Sequence, residues 1–150
     1  MFDKWDIRFM DLAKQVSTWS SCLKSTRHVG AVIVRDRRVI TTGYNGAPSG
    51  IKSCVERNEC IRSNLKSGTC IEQCYAVHAE ENAILQAAKL GISLEGATLY
   101  VTHKPCTQCS KSIINAGIKR VVYIYEYPDS FGDELLKSAG IISERYEGVI

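Results

Sequence analysis

Three side chains in this sequence have the types and spacing to hold one metal ion: His78, Cys106 and Cys109. Cysteines three apart at the start of a helix point to one side, so both thiolates can grip the ion, and His78 can add a third ligand from a preceding helix. Zinc with three protein ligands keeps its fourth position for water, whereas a structural site is closed by four. The metal lowers the pKa of that water to roughly 7, which makes hydroxide available near neutral pH. Glu80 stands two residues past His78 in the same helical turn, where its carboxylate can reach the water without being a ligand. Both helix N-termini would point at the metal, and their free N–H groups favour thiolate over thiol. These parts suit water addition to an aromatic carbon that bears an amino group. Hydroxide adds to the ring, a carboxylic acid protonates the ring nitrogen, and the carboxylate then passes a proton to the departing ammonia. Glu80 would hold that role, with a pKa raised by a dry pocket. The competing reading is a closed zinc knuckle of His78, Cys106, Cys109 and another thiolate that only holds the fold; it leaves the placement of Glu80 unexplained. Taken alone, Glu80 reads as a helix-capping carboxylate, and only its partners reverse that.

The elements that must position these residues follow from periodicity and punctuation. Trp5, Phe9, Leu12, Val16 and Trp19 recur at steps of four and three, one face of an amphipathic helix that frays at Ser20-Ser21. Val29–Val34 and Arg38–Thr42 flank the charged turn Arg35-Asp36-Arg37 and predict an antiparallel hairpin. A long stretch from Asn45 to Tyr75 opens with Gly43-Tyr-Asn-Gly-Ala-Pro-Ser-Gly50 and carries Cys54, Cys60, Cys70 and Cys74. Such loops are uncommon in compact domains unless functional or tied down. A helix is expected from His78 to a stop at Gly91, a strand over Thr98–Thr102, and a helix with Pro105 in its first turn that ends at Gly117. A strand over Lys119–Tyr125, a short helix over Asp133–Ala139 and a last strand within Ile141–Tyr146 complete the pattern. Strands alternating with helices after an opening hairpin indicate an α/β domain with a mixed sheet, and no linker divides residues 1–150.

Composition bounds the function classes. The chain has 150 residues, 45% apolar and 23% charged, which is ordinary for a globular protein. Nineteen Lys and Arg against 16 Asp and Glu leave a charge of +3, with no clustered basic patch of the kind nucleic-acid binding needs. No apolar run reaches the ~20 residues of a membrane span, and Met1–Asp6 lacks a secretory signal, so a cytoplasmic location is expected. Seven cysteines, an odd number without an export signal, favour metal ligation over a disulfide framework.

The ordered set His78-Ala79-Glu80 and Pro105-Cys106-Thr107-Gln108-Cys109 resembles the signature of the zinc nucleobase deaminases. Val77–Ile84, Leu99–Cys106 and Gly43–Gly50 are similar to the deoxycytidylate deaminase branch of the cytidine deaminase family in particular, and the resemblance runs from about Val29 to Gly140. It implies a three-layer α/β/α fold with a central mixed five-stranded sheet, and hydrolysis of dCMP to dUMP and ammonia by a zinc-bound hydroxide. It also implies substrate contacts from Asn45, from the backbone N–H of Ala79 and the carbonyl of Thr102, and from Tyr127 toward the phosphate. Arg27 and His28 are further phosphate candidates by their charge and position, and either could equally be solvated. An Asn beside Gly46 is also a common choice for its turn conformation alone.

The same resemblance implies a homo-hexamer activated by dCTP with Mg²⁺ and inhibited by dTTP. Gly43, Tyr44, Gly46, Ala47 and Gly50 would help bind that regulator, because glycines let backbone N–H groups approach phosphates closely. Cys54, Cys60 and Cys74 resemble a set that holds a second, structural zinc in some members, with Cys22 as the candidate fourth ligand; free buried thiols are the alternative. Cys70 is left without a role. Two other functions remain in view: deamination of another base, including a tRNA adenosine, and a non-enzymatic interaction protein on a zinc-stabilised deaminase scaffold, for example in DNA uptake. The modest charge and the Asn45 loop argue against tRNA, and an intact Glu80 argues against a dead scaffold.

Overall fold

The structure, a computed structural model, describes residues 2–66 and 74–148. Cys70 lies outside the described residues. The chain opens with helix α1, Lys4–Ser17, fixed by a reciprocal cap. The Asp3 carboxylate accepts the N–H groups of Trp5 and Asp6, and the Asp6 carboxylate accepts the N–H of Asp3. Phe9, Met10, Ala13 and Val16 form its buried stripe. Trp19 departs from the expected stripe: the helix ends at Ser17, and the indole lies half exposed, edge-on to Tyr44.

Strands β1, Gly30–Arg35, and β2, Arg38–Tyr44, pair antiparallel. Asp36 and Arg37 make the turn between them with φ of 54° and 60°, the twist that a two-residue hairpin requires. The following long stretch contains a four-residue helix α2, Cys54–Arg57, absent from the sequence-based expectation and capped by Ser53 and Glu56. Then come α3 (Ala79–Leu90), β3 (Thr98–His103), α4 (Thr107–Asn115), β4 (Arg120–Tyr125), α5 (Phe131–Ser138) and β5 (Ile142–Arg145). Pro105 stands just before Cys106, the residue that caps α4, and so outside the first turn where it was expected. Among the described residues no helix is long and apolar enough to cross a membrane.

The sheet runs β2-β1-β3-β4-β5, antiparallel up to β3 and parallel from β3 to β5. Side chains alternate across it with a period of two. Ala31, Ile33, Leu99, Val101 and Val121 pack with Ala83 and Ala87 of α3, Ile113 of α4 and Leu136 of α5. Val32, Val34, Tyr100 and Val122 pack on the other face with α1. The result is the expected α/β/α arrangement around a mixed five-stranded sheet.

Two glycines let the helices lie directly on the hairpin. A Cβ at Gly43 would stand 2.2 Å from the carbonyl oxygen of Ala79, and one at Gly30 2.1 Å from that of Ala13. The start of α3, which carries His78 and Glu80, is thereby set against β2.

Candidate active site

The metal-binding side chains come from two helix starts. His78 caps α3, Cys106 caps α4, and Cys109 occupies the third position of α4; neither cap residue makes a capping hydrogen bond with its side chain. Nδ1 of His78 lies 3.5 Å from Cys106 Sγ and 3.4 Å from Cys109 Sγ. All three ligand atoms fall within 4.8 Å of one another. A tetrahedral zinc would hold nitrogen and sulfur ligands roughly 3.6 Å apart, so the triangle fits that ion. Among the described residues no fourth His, Cys, Asp or Glu joins the group.

Electrostatics prepare the sulfurs for a cation. The Cys106 thiol is pushed down to about 4, chiefly by its hydrogen bond with Cys109, then by His78 and by the backbone N–H of Cys109, against the opposing effect of burial. Cys109 is pushed up by its hydrogen bond with Cys106 and by burial. Hydrogen bonding to Cys106 raises His78 in turn. Glu80, only 4% exposed, lies beside these groups without belonging to the ligand triangle. Burial pushes its carboxyl up to about 7, against the opposing charge of His78.

The triangle opens into a cavity lined by Ala79, Glu80, Asn45, Arg27 and Tyr127, which were expected there, and by residues the sequence reading missed. The basic side chains among the missed ones are Arg62, His103 and Lys104. Arg62 is charged yet only 6% exposed. His103 and Lys104 immediately precede Pro105-Cys106, and that adjacency was the available signal. Nothing local to Arg62, two residues past Cys60, marked it.

Asn45 is held at both ends of its amide. Its oxygen accepts the N–H of Val29 at 2.9 Å, and Nδ2 donates to the carbonyl of Arg27 at 2.6 Å. One amide hydrogen remains for a ligand among the described contacts. The guanidinium of Arg27 donates to the carbonyl of Leu65 at 3.5 Å. His28 turns to the carbonyl of Cys22, 2.6 Å from its Nε2, and does not line the cavity. Thr102 does not line it either: its hydroxyl accepts the N–H of Gly30 at 3.1 Å and lies 2.9 Å from Nδ1 of His103.

Cys22, Cys54, Cys60 and Cys74 all border the same cavity. Burial and the charges of Cys74, Cys60 and Cys22 push the Cys54 thiol up, which shows the four in electrostatic reach of one another. Their sulfurs approach less closely than the His78 triangle, since no three of them fall within its 4.8 Å limit. In the Gly43–Gly50 loop, Gly43 faces α3, Gly46 pairs with Val77, Ala47 is half-buried, and Tyr44 and Gly50 are exposed.

An α/β sheet that brings a His-Cys-Cys triangle able to hold zinc and a buried carboxyl to two helix starts suits metal-dependent hydrolysis. Residues 3–125 match the family model described as the cytidine and deoxycytidylate deaminase zinc-binding region. The chain is 41% identical over 144 residues to the ComE operon protein 2 of Bacillus subtilis, covering 95% of this chain and 71% of that protein. It is 43% identical over 145 residues to the deoxycytidylate deaminase of Schizosaccharomyces pombe, of which it spans less than half, 44%, with 95% of this chain covered. The dCMP deaminase of cyanophage S-TIM5, solved in complex with dCMP and dUMP, superposes with a TM-score of 0.81 at 32% identity, covering 97% of this chain and 99% of that one. The chain belongs to the cytidine and deoxycytidylate deaminase family, whose members are zinc-dependent hydrolases.

Proposed function

We propose that this protein converts dCMP and water to dUMP and ammonia. The observation that carries the reading is Glu80, a buried carboxyl held near neutrality beside a three-ligand zinc triangle. The choice of dCMP is supported by the cyanophage enzyme, which matches nearly the whole chain. Zinc held by His78, Cys106 and Cys109 would supply a water acidified toward neutral pH. Glu80 takes a proton from the attacking water and delivers it to the ring nitrogen, and then moves a second proton to the departing amine. A carboxyl with a pKa near 7 suits both directions of transfer. The Ala79 backbone and the free amide hydrogen of Asn45 orient the pyrimidine and sugar, while Arg27 and Tyr127 take the phosphate. Turnover of dCMP measured beside deoxycytidine, cytidine and a tRNA anticodon stem tests the assignment. Arg27→Gln should raise KM for dCMP roughly 10-fold or more, the worth of one charged hydrogen bond, and leave that for deoxycytidine unchanged.

Two finer features belong to the same reading. Cys22, Cys54, Cys60 and Cys74 hold a structural zinc that pins the long loop; their shared wall and mutual electrostatic influence support it. Metal analysis should then give two zinc ions per chain, with Cys54→Ser losing one and keeping dCMP turnover. Regulation by dCTP with Mg²⁺ and by dTTP, in a hexamer, would act at the exposed side of the Gly43–Gly50 loop, where Tyr44 and Gly50 are accessible and Gly43 is not. Assays with and without each triphosphate, and the mass of the assembly in solution, test it. A non-enzymatic scaffold role is the second reading, favoured by the Bacillus relative, which is named for its operon and not for an activity. Inactivity of zinc-loaded protein toward every nucleotide would select it.

A further inference from the structure

The metal-binding helix α4 begins without a cap of its own. An N-cap side chain normally accepts the N–H of the second or third helical residue. Here the cap is Cys106, whose sulfur belongs to the ligand triangle and makes no capping hydrogen bond. The first N–H of the helix, on Thr107, is taken instead by Asp129, 22 residues downstream in the β4–α5 connection, at 2.7 Å from Oδ2. The other carboxylate oxygen accepts the Thr107 hydroxyl at 2.6 Å, so the contact is bidentate and fixes rotation as well as distance. Three hydrogen bonds from Thr107 and Gly132 hold this carboxylate.

The same connection grips the residues before the cap. Lys104 Nζ lies 2.8 Å from Glu126 and 2.9 Å from Asp133, and the Lys104 N–H donates to the carbonyl of Tyr125 at 2.9 Å. Residues 104 and 107 are thus tied on both sides of Pro105-Cys106, and the tie at 107 bears directly on the turn that carries both sulfurs.

We propose that Asp129 is a positioning residue for the metal centre: by capping α4 from another loop through Thr107, it fixes the turn that carries Cys106 and Cys109 and preorganises both sulfurs. This rests on the zinc reading above. Outer partners of metal ligands typically cost about 10–100-fold in metal affinity when removed. Zinc affinity is measured by competition with a chromophoric chelator, alongside thermal unfolding of the zinc-loaded protein. The active-site ion is isolated in a Cys54→Ser background and confirmed by its loss in His78→Ala. Asp129→Ala should weaken zinc binding about 10–100-fold, with Asp129→Asn, which keeps one acceptor oxygen, in between, and with altered sulfur-to-cobalt absorption in the Co²⁺-substituted protein. Asp6→Asn, which weakens the fold far from α4, should lower Tm and leave zinc affinity as in wild type. The inference is overturned if the Asp129 variants bind zinc like wild type, or lose it only in proportion to Tm. Were the parent chain itself to bind no zinc at His78, the site reading would fail and this one with it.

Discussion

Among the described residues two carboxylates are buried, Glu80 and Asp6, at 4% and 5% exposure, and they are shifted in opposite directions. Glu80 stands where burial outweighs its partners, and its pKa rises to about 7. For Asp6 burial acts in the same upward sense, but the Arg120 guanidinium, the Tyr100 hydroxyl and the Asp3 N–H outweigh it and hold the carboxyl below its usual range. Arg120 lies 2.7 Å from Asp6 and 2.8 Å from Glu144, so one cation ties α1 and β5 to β4. Similar surface exposure therefore accompanies a carboxyl held as a charge at one place and one shifted toward its neutral form at the other. Depth of burial together with the number and charge of the donors decides which.

The largest expected effect lies on the neutral side. Glu80→Gln should lower dCMP turnover by roughly 10²–10⁴-fold or more, the usual worth of a general acid–base group, with zinc content and Tm preserved. Retained turnover would break the contrast at its centre. On the charged side, Asp6→Asn should cost about 2 kcal/mol of stability, the loss of charged hydrogen bonds, while activity per folded molecule stays unchanged. Denaturant titrations read the first, and active-site-normalised rates the second.

Acid sharpens the same point. The folded pKa of Asp6 is below the unfolded value of ~3.9, so its contribution is complete above that pH and drains away as pH falls through the folded value. Wild type should show an acid loss of stability below about pH 4 that Asp6→Asn shows in reduced form. The smallest effect is expected at an exposed carboxylate. Asp11 pairs with Lys14 at 3.5 Å on the outside of α1, and Asp11→Ala should leave Tm within error, because solvent screens such pairs.

What could be read from the sequence was what short range encodes. The spacing of Cys106 and Cys109, the offset of Glu80 from His78 and the charged turn between Val29–Val34 and Arg38–Thr42 each carry their meaning within a few residues, and the structure places them on or at the start of the expected elements. Asp129 and the Asp6–Arg120 pair escaped because their partners stand tens of residues away; Asp129 and Thr107 are separated by 22 positions, Arg120 and Asp6 by 114. Trp19 misled for a related reason: the helical period continued past Ser17 although the chain had already turned. Asn45 lines the cavity, but its two ties to Arg27 and Val29 are tertiary and leave no local mark.

Gly43 has a consequence for anyone seeking a sturdier version of this enzyme. Replacing glycine by alanine often stabilises a protein by restricting the unfolded chain. At Gly50, Gly91, Gly96 and Gly140 there is open space, but the backbone angles are left-handed and resist a side chain. At Gly43 the backbone raises no such objection and the room is missing instead. A single methyl group there would lever the start of α3 outward, and ångström-scale misplacement of reacting groups can cost about 100-fold in rate. Thermostabilisation by this common route would trade catalysis for nothing at residue 43, and Gly30, equally close to α1, offers no better room.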